Sequence, residues 1–292
     1  MKLTNNYNLP EPLVSAIRND PYDRVGDISI SGLIRSPRMR ILEKRHDLDI
    51  SEDASDQIWK LLGQSVHSIL ERADTTNHLA EERMVASVLG WKVSGKPDLL
   101  GPDGILSDYK VTSVYSFLLG EKPEWEMQLN FYRWLYVQHG FKPKRLQIVA
   151  ILRDWSRSRS KREPYYPQVP ILRTDIPMWE IKRTEAEIEK LVTLHQRSEL
   201  LPDDSLPECT ADQRWARPTT YAVKKEGNKK AYRVFEDSNK ATALADQNGM
   251  VVETRPGENV RCEDYCLVNQ WCNQYSKLKG DTHASTEEVQ ER

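Results

Sequence analysis

The 292-residue chain has no apolar run long enough to cross a bilayer, and its opening residues, MKLTNNYNLPEPL, lack the apolar core of a signal peptide. A cytoplasmic protein, in a bacterial or phage-infected host cell, is the expectation, with no membrane partner. Net charge is almost absent: 42 basic residues against 44 acidic ones leave −2. No global positive field can therefore draw in a polyanion, and any nucleic-acid affinity must come from local basic patches and bound metal. Cysteine is missing from the first two thirds of the chain and then occurs at Cys209, Cys262, Cys266 and Cys272. Inside a cell such a group points to a metal or iron–sulfur site in preference to disulfides. What is present is a globular balance, 38% hydrophobic and 29% charged, in a length that suits one large domain or two modest ones at roughly 100–200 residues each.

The most informative stretch is SGKPDLLGPDGILSDYKVT, Ser94 to Thr112. It reads as two strands joined by a tight turn at Gly101-Pro102-Asp103-Gly104. Side chains alternate along a strand, so Asp108 and Lys110 share a face, and a hairpin of this length sets Asp98 near Ser107 and Asp108. Two carboxylates and an ammonium at one end of a ribbon are the equipment of metal-assisted phosphodiester hydrolysis: hard oxygen ligands for Mg²⁺ or Mn²⁺, and a lysine to hold a water. The bare pattern is short and fits a charged surface hairpin equally well.

The flanking chain adds candidates. A helix with a Ser31 N-cap is expected to carry Leu33, Ile34, Ile41 and Leu42 inward. The helix from about Asp56 to Ala73 sets Ile58, Leu61, Leu62, Ser65, Val66, Ile69 and Leu70 on one stripe, with His67 beside it and Gly63 one turn earlier. Strands at Glu81–Val88 and Trp91–Val93 lead into the hairpin. Glu124 to His139 is a helix stopped by Gly140, on which Gln128 and Tyr132 share a face, and RLQIVAIL, Arg145 to Leu152, is a buried strand. Next comes a basic loop with aromatic neighbours, in which Arg153, Arg157, Arg159, Lys161 and Arg162 have the composition of a phosphate-contacting, base-stacking segment. A helix from Ile176 to Leu200 follows. Beyond Cys209, a hairpin, a short helix and a strand form a small, locally basic module. The order describes an α/β fold with a mixed central sheet flanked by helices.

Gly63-x3-His67, Asp98, Asp108-x-Lys110 and Gln128-x3-Tyr132 occur in an order and at spacings that resemble the RecB-type branch of the PD-(D/E)XK nucleases, and Cys262-x3-Cys266-x5-Cys272 resembles the triplet of its iron–sulfur members. Those members include the CRISPR-associated adaptation exonuclease, the AddB-type nuclease and bacteriophage exonucleases. The resemblance implies a restriction-endonuclease-like core and a metal-dependent DNA exonuclease of recombination, repair or replication. It further implies metal ligation by His67, Asp98, Asp108 and the Val111 carbonyl, with Lys110 orienting water and Gln128 and Tyr132 supporting Lys110 or the substrate strand. Glu81 or Glu82 is a further acid of lower rank.

One departure stands out. Iron–sulfur members of the branch carry a first cysteine before a Pro-Arg pair, where this chain has Ser36-Pro37-Arg38. Cys209 is left as the fourth candidate ligand, for a 4Fe-4S cluster or, as the alternative, zinc. The expected organisation is an arm over 1–27, a nuclease core over 28–206, a cysteine-bounded module with a small α+β fold over 207–276, and a disordered tail over 277–292. A DNA-binding adaptor without activity and an RNA-directed nuclease are the competing functions. A homo-oligomer, or recombination and replication proteins, are the candidate protein partners.

Overall fold

The structure is a computed structural model that describes residues 1–19, 25–72, 78–80, 82–118 and 122–279. Glu81 and most of the expected tail lie outside these residues. Internal contacts divide the chain into two compact units, one formed by Met1–Arg35 with Ser51–Leu200, the other by Ser36–Ile50 with the chain from Leu201 onward. Residues 36–50, expected in the span 28–206, thus belong with the cysteine-bearing segment. Residues of the expected arm are built into the first unit, where strand Lys2–Thr4 pairs in parallel with Ser51–Asp53.

The first unit is the α/β fold with mixed sheets expected from the sequence. Its main sheet runs, in spatial order, Ile171–Ile176, Arg145–Leu152, Ile105–Thr112, Leu99–Leu100 and Leu79–Ala80. The two central strands are parallel, from Ile105↔Arg145 to Thr112↔Leu152, and the other pairings are antiparallel. Parallel neighbours require a crossover, which helix Pro123–Gln138 supplies. Pro123 opens that helix, where a missing N–H costs nothing. Gly140, at φ +85°, follows its C-cap in the left-handed region. Leu129, Phe131, Tyr132, Trp134, Leu135 and Tyr136 of the helix are all buried, against Leu106, Leu146, Ile148 and Ala150 of the central strands and Ile188 and Val192 of helix Ile181–Glu199. A smaller sheet, Ile28–Ser29, Trp91–Gly95 and Met84–Val88, leads into the hairpin.

Three local expectations change. Ser29, not Ser31, caps the first basic helix, accepting the Gly32 N–H at 3.1 Å. That helix ends at Ile34, and a second runs from Pro37 to Arg45, because a residue before proline avoids the helical region. The expected Ile176–Leu200 helix is strand Ile171–Ile176, then Pro177, then helix Ile181–Glu199. Helix Ile58–Glu71 has the expected period, yet none of its residues is buried; Ile58, Trp59, Leu62 and Ile69 are exposed.

The second unit has two small cores. Ile41, Leu42, Ile50, Leu206, Val268 and Cys272 form one. The other lies in a three-stranded antiparallel sheet, ordered Arg233–Phe235, Thr220–Lys224, Val251–Arg255. There Ala241 and Ala245 of helix Ser238–Asn248 pack on Val223, their small side chains letting the helix sit close.

Candidate active site

The hairpin forms with the pairs Leu100↔Leu106 and Leu99↔Ser107, so one further step along each strand sets Asp98 across from Asp108. Its turn is closed by the Gly104 N–H to the Gly101 carbonyl at 2.9 Å, with Gly104 at φ +84°. Asp103 Oδ1 accepts the Ile105 N–H at 3.0 Å. Asp98 is held by the Tyr109 N–H, which donates to its Oδ2 at 2.6 Å. Its other oxygen lies 3.3 Å from His67 Nδ1, which helix Ile58–Glu71 presents one turn before its end. Asp98 and Asp108 are 8% and 2% exposed, which removes the reading of a solvated surface hairpin.

Beyond Ser107 the strand Ile105–Thr112 pairs only with Arg145–Leu152, leaving its other edge open among the described residues. Backbone groups of residues two apart point the same way in a strand. The Tyr109 N–H reaches Asp98 across that open edge, so the Val111 carbonyl, one of the expected ligands, faces it too.

Lys110 Nζ sits 2.6 Å from Asp108 Oδ2 and donates to Gln128 Oε1 at 2.9 Å. Gln128 Nε2 in turn donates to Tyr132 Oη at 3.0 Å. The helical i, i+4 spacing makes this relay possible, and burial of Tyr132 at 7% exposure anchors its far end. Gly95 is the floor beneath it: a Cβ there would stand 2.9 Å from Tyr132 Cε1 and 2.7 Å from Leu135 Cδ1.

The electrostatics are those of a site short of positive charge. Burial, opposed by the Lys110 charge and reinforced by that of Asp98, pushes the Asp108 carboxyl up to about 6. Asp108 Oδ2, although paired in charge with Lys110, is buried with no hydrogen bond of good geometry. Two facing carboxylates, an under-satisfied buried oxygen, an imidazole and a carbonyl on the open edge make a donor set that fits Mg²⁺ or Mn²⁺. Among the described residues, no set of three or more His, Cys, Asp or Glu side chains stands in a geometry that would hold a metal ion.

The five basic residues of the loop are all exposed, and part of the loop is a helical turn, Arg157–Ser160. They differ in commitment. Arg159 is bound to Glu163 at 2.8 Å and lies over the Tyr166 ring. Arg162 donates to the Ser158 carbonyl at 3.1 Å. Arg153 directly follows the strand Arg145–Leu152; its N–H donates to the Thr112 carbonyl at 3.0 Å, and its guanidinium lies 4.0 Å above the ring of Trp59. Trp59, eight residues before His67 on the same helix and 56% exposed, is a candidate that the sequence reading passed over as part of an apolar helix. The same holds for the Tyr109 N–H, since a backbone donor leaves no mark in sequence.

In the second unit, Cys209, Cys262, Cys266 and Cys272 line one cavity together with Arg38, Arg214 and Arg261. Burial pushes the thiols of Cys209 and Cys266 upward. Burial, joined by the charges of the three other thiols, pushes Cys262 up to about 12.

Carboxylates paired across a hairpin beside a fixed lysine define a phosphodiester-cleaving class of site. Residues 44–273 match the family described as the PD-(D/E)XK nuclease superfamily, and the chain belongs to it. Membership brings metal-dependent nuclease activity on a nucleic-acid substrate. No curated protein matches the chain. One solved structure, described as "Crystal structure of SSO0001", aligns with a TM-score of 0.43 at 20% identity, covering 64% of this chain and 85% of that one. No helix among the described residues is long and apolar enough to cross a membrane.

Proposed function

We propose that the protein is a Mg²⁺- or Mn²⁺-dependent DNA exonuclease of the RecB-type branch, working on ends or single strands in phage or bacterial recombination, repair or replication. The observation that carries this reading is the convergence of His67, Asp98, Asp108 and Lys110, with Lys110 fixed by Gln128. His67, Asp98, Asp108 and the Val111 carbonyl would hold the metal. When bound, such an ion neutralises phosphate charge and brings the pKa of its water toward ~7 in favourable cases. Lys110 orients the attacking water and faces the charge that builds on the phosphate oxygens, already positioned and so without reorganisation during reaction. Gln128 keeps the ammonium from swinging fully onto Asp108. Arg153 and Trp59 offer a cation and a ring face to a phosphate and a base of the entering strand. The iron–sulfur reading of the four cysteines belongs to the same proposal, with zinc as the alternative ion.

The test is cleavage of DNA labelled separately at each end, with Mg²⁺ and with Mn²⁺, beside Lys110→Ala. Loss of terminal label without internal fragments, abolished in the variant, is the expected result. Equal cleavage by both proteins would overturn the site, internal fragments would overturn exonuclease action, and preferential RNA cleavage would overturn the substrate.

A further inference from the structure

The cavity of the second unit brings four thiols together from separate places in the chain, and its charge does not balance without them. Arg38 is 2% exposed. It donates to the carbonyls of Leu206 and Pro207, to Asn273 Oδ1, and to Cys272 Sγ at 3.9 Å. All these partners are neutral, and a buried guanidinium with only neutral partners lacks a counter-charge. A site of four thiolates around a divalent ion or an oxidised iron–sulfur cluster carries net negative charge, which is the charge Arg38 lacks.

Cys209 is placed with unusual firmness. Its N–H donates to Gln274 Oε1 at 2.8 Å, while its carbonyl accepts from Gln274 Nε2 at 3.0 Å and from Arg214 Nε at 3.2 Å. Its thiol points at the hydroxyl of Ser36, 3.1 Å away, and Ser36 is fully buried two residues before Arg38. The Oγ of Ser36 and the Sγ of Cys209 therefore compete for one place on the wall of the thiol cavity.

We propose that Cys209 supplies the fourth thiolate of a metal or iron–sulfur centre completed by Cys262, Cys266 and Cys272, from a position that a thiol on residue 36 could serve equally, with Arg38 as its buried counter-cation. The inference rests on the reading of the cysteines as a ligand set and deepens it. The Ser36 hydroxyl then has a role as well. Once Cys209 is deprotonated, the hydroxyl turns from acceptor to donor and holds the thiolate by a charge-assisted bond.

The experiment compares wild type, Cys209→Ala and the double variant Ser36→Cys/Cys209→Ala, purified anaerobically as full chains, for iron, sulfide and zinc content and for the brown thiolate–iron absorbance. Wild type is expected to be loaded, Cys209→Ala to lose most of its metal or to release it rapidly to a chelator, and the double variant to regain it. Recovery in the double variant separates loss of a ligand from loss of folding. Undiminished metal in Cys209→Ala would overturn the role of Cys209. A folded, metal-free double variant beside an unloaded Cys209→Ala would overturn the equivalence of the two positions. A colourless, metal-free wild type would overturn the ligand-set reading itself, and zinc in place of iron would refute the cluster while supporting the four-thiol set. Nuclease activity on labelled DNA is scored separately, so failure of the exonuclease proposal is not confused with failure of this one.

Discussion

The relay from Asp108 through Lys110 and Gln128 to Tyr132 predicts graded losses in the chemical step. Lys110→Met removes the one fixed cation facing the reacting phosphate, comparable to deleting a preorganised transition-state donor, about 2.7–4 kcal/mol or 10²–10³-fold. Gln128→Leu leaves the ammonium in place but deletes its 2.9 Å acceptor, a hydrogen bond to a charged group of roughly 1.5–3 kcal/mol, so a loss of about 10–100-fold follows. Tyr132→Phe deletes only the 3.0 Å acceptor of the glutamine amide, a neutral bond of about 0.5–1.5 kcal/mol, and a loss of about 2–10-fold follows. Each step outward acts through the one before, so the double variant Gln128→Leu/Tyr132→Phe should be no worse than Gln128→Leu alone. The assay is single-turnover cleavage of end-labelled DNA at saturating enzyme and metal, which isolates chemistry from binding. Additive losses in the double variant, or a larger loss in Tyr132→Phe than in Gln128→Leu, would refute the relay and leave Tyr132 as a packing residue.

Three other outcomes are expected. Asp108, with a folded carboxyl at about 6 against an ordinary 3.8, makes a contribution to stability that is complete below the unfolded pKa and lost as pH rises through about 6. In chelator, Asp108→Asn should therefore outlast wild type above that pH by roughly 3 kcal/mol at about 1.36 kcal/mol per unit, read as exchange protection of the 105–112 strand amides; a pH-independent difference would contradict it. Gly95→Ala drives a Cβ into Tyr132, Leu135 and Ile30 and should cost ~1–3 kcal/mol of stability, with a fall in turnover as Tyr132 shifts; a melting temperature equal to wild type would show that the core gives way there. Arg153→Ala should weaken single-strand binding and lower the slope of log affinity against log salt by about 0.7, whereas Arg159→Ala, already neutralised by Glu163, should change the slope less; equal changes would remove the distinction.

Much of the centre was legible in the chain because its chemistry depends on short-range periods. A strand repeats every two residues, which set Asp108 and Lys110 on one face. A hairpin closed by Gly104 fixes its own register, which brought Asp98 opposite Asp108, and a helix repeats over four, which joined Gln128 to Tyr132. Other features depend on distant packing and left no local mark. The apolar period of helix Ile58–Glu71 reads as a core stripe, yet the fold leaves that helix without a buried residue, because which stripe is covered depends on the elements that reach it. Ser36 read as the absence of a ligand, and only the tertiary structure brought it 3.1 Å from Cys209, 173 positions away in the chain. Burial made a further difference that sequence does not carry: it turned Asp108 from a surface acid into a carboxyl at about 6, and Arg38 from one basic residue among 42 into an enclosed cation. The sequence by itself determined which groups could do chemistry; the fold decided which of them are deprived of water, and the strength of a charge depends on that.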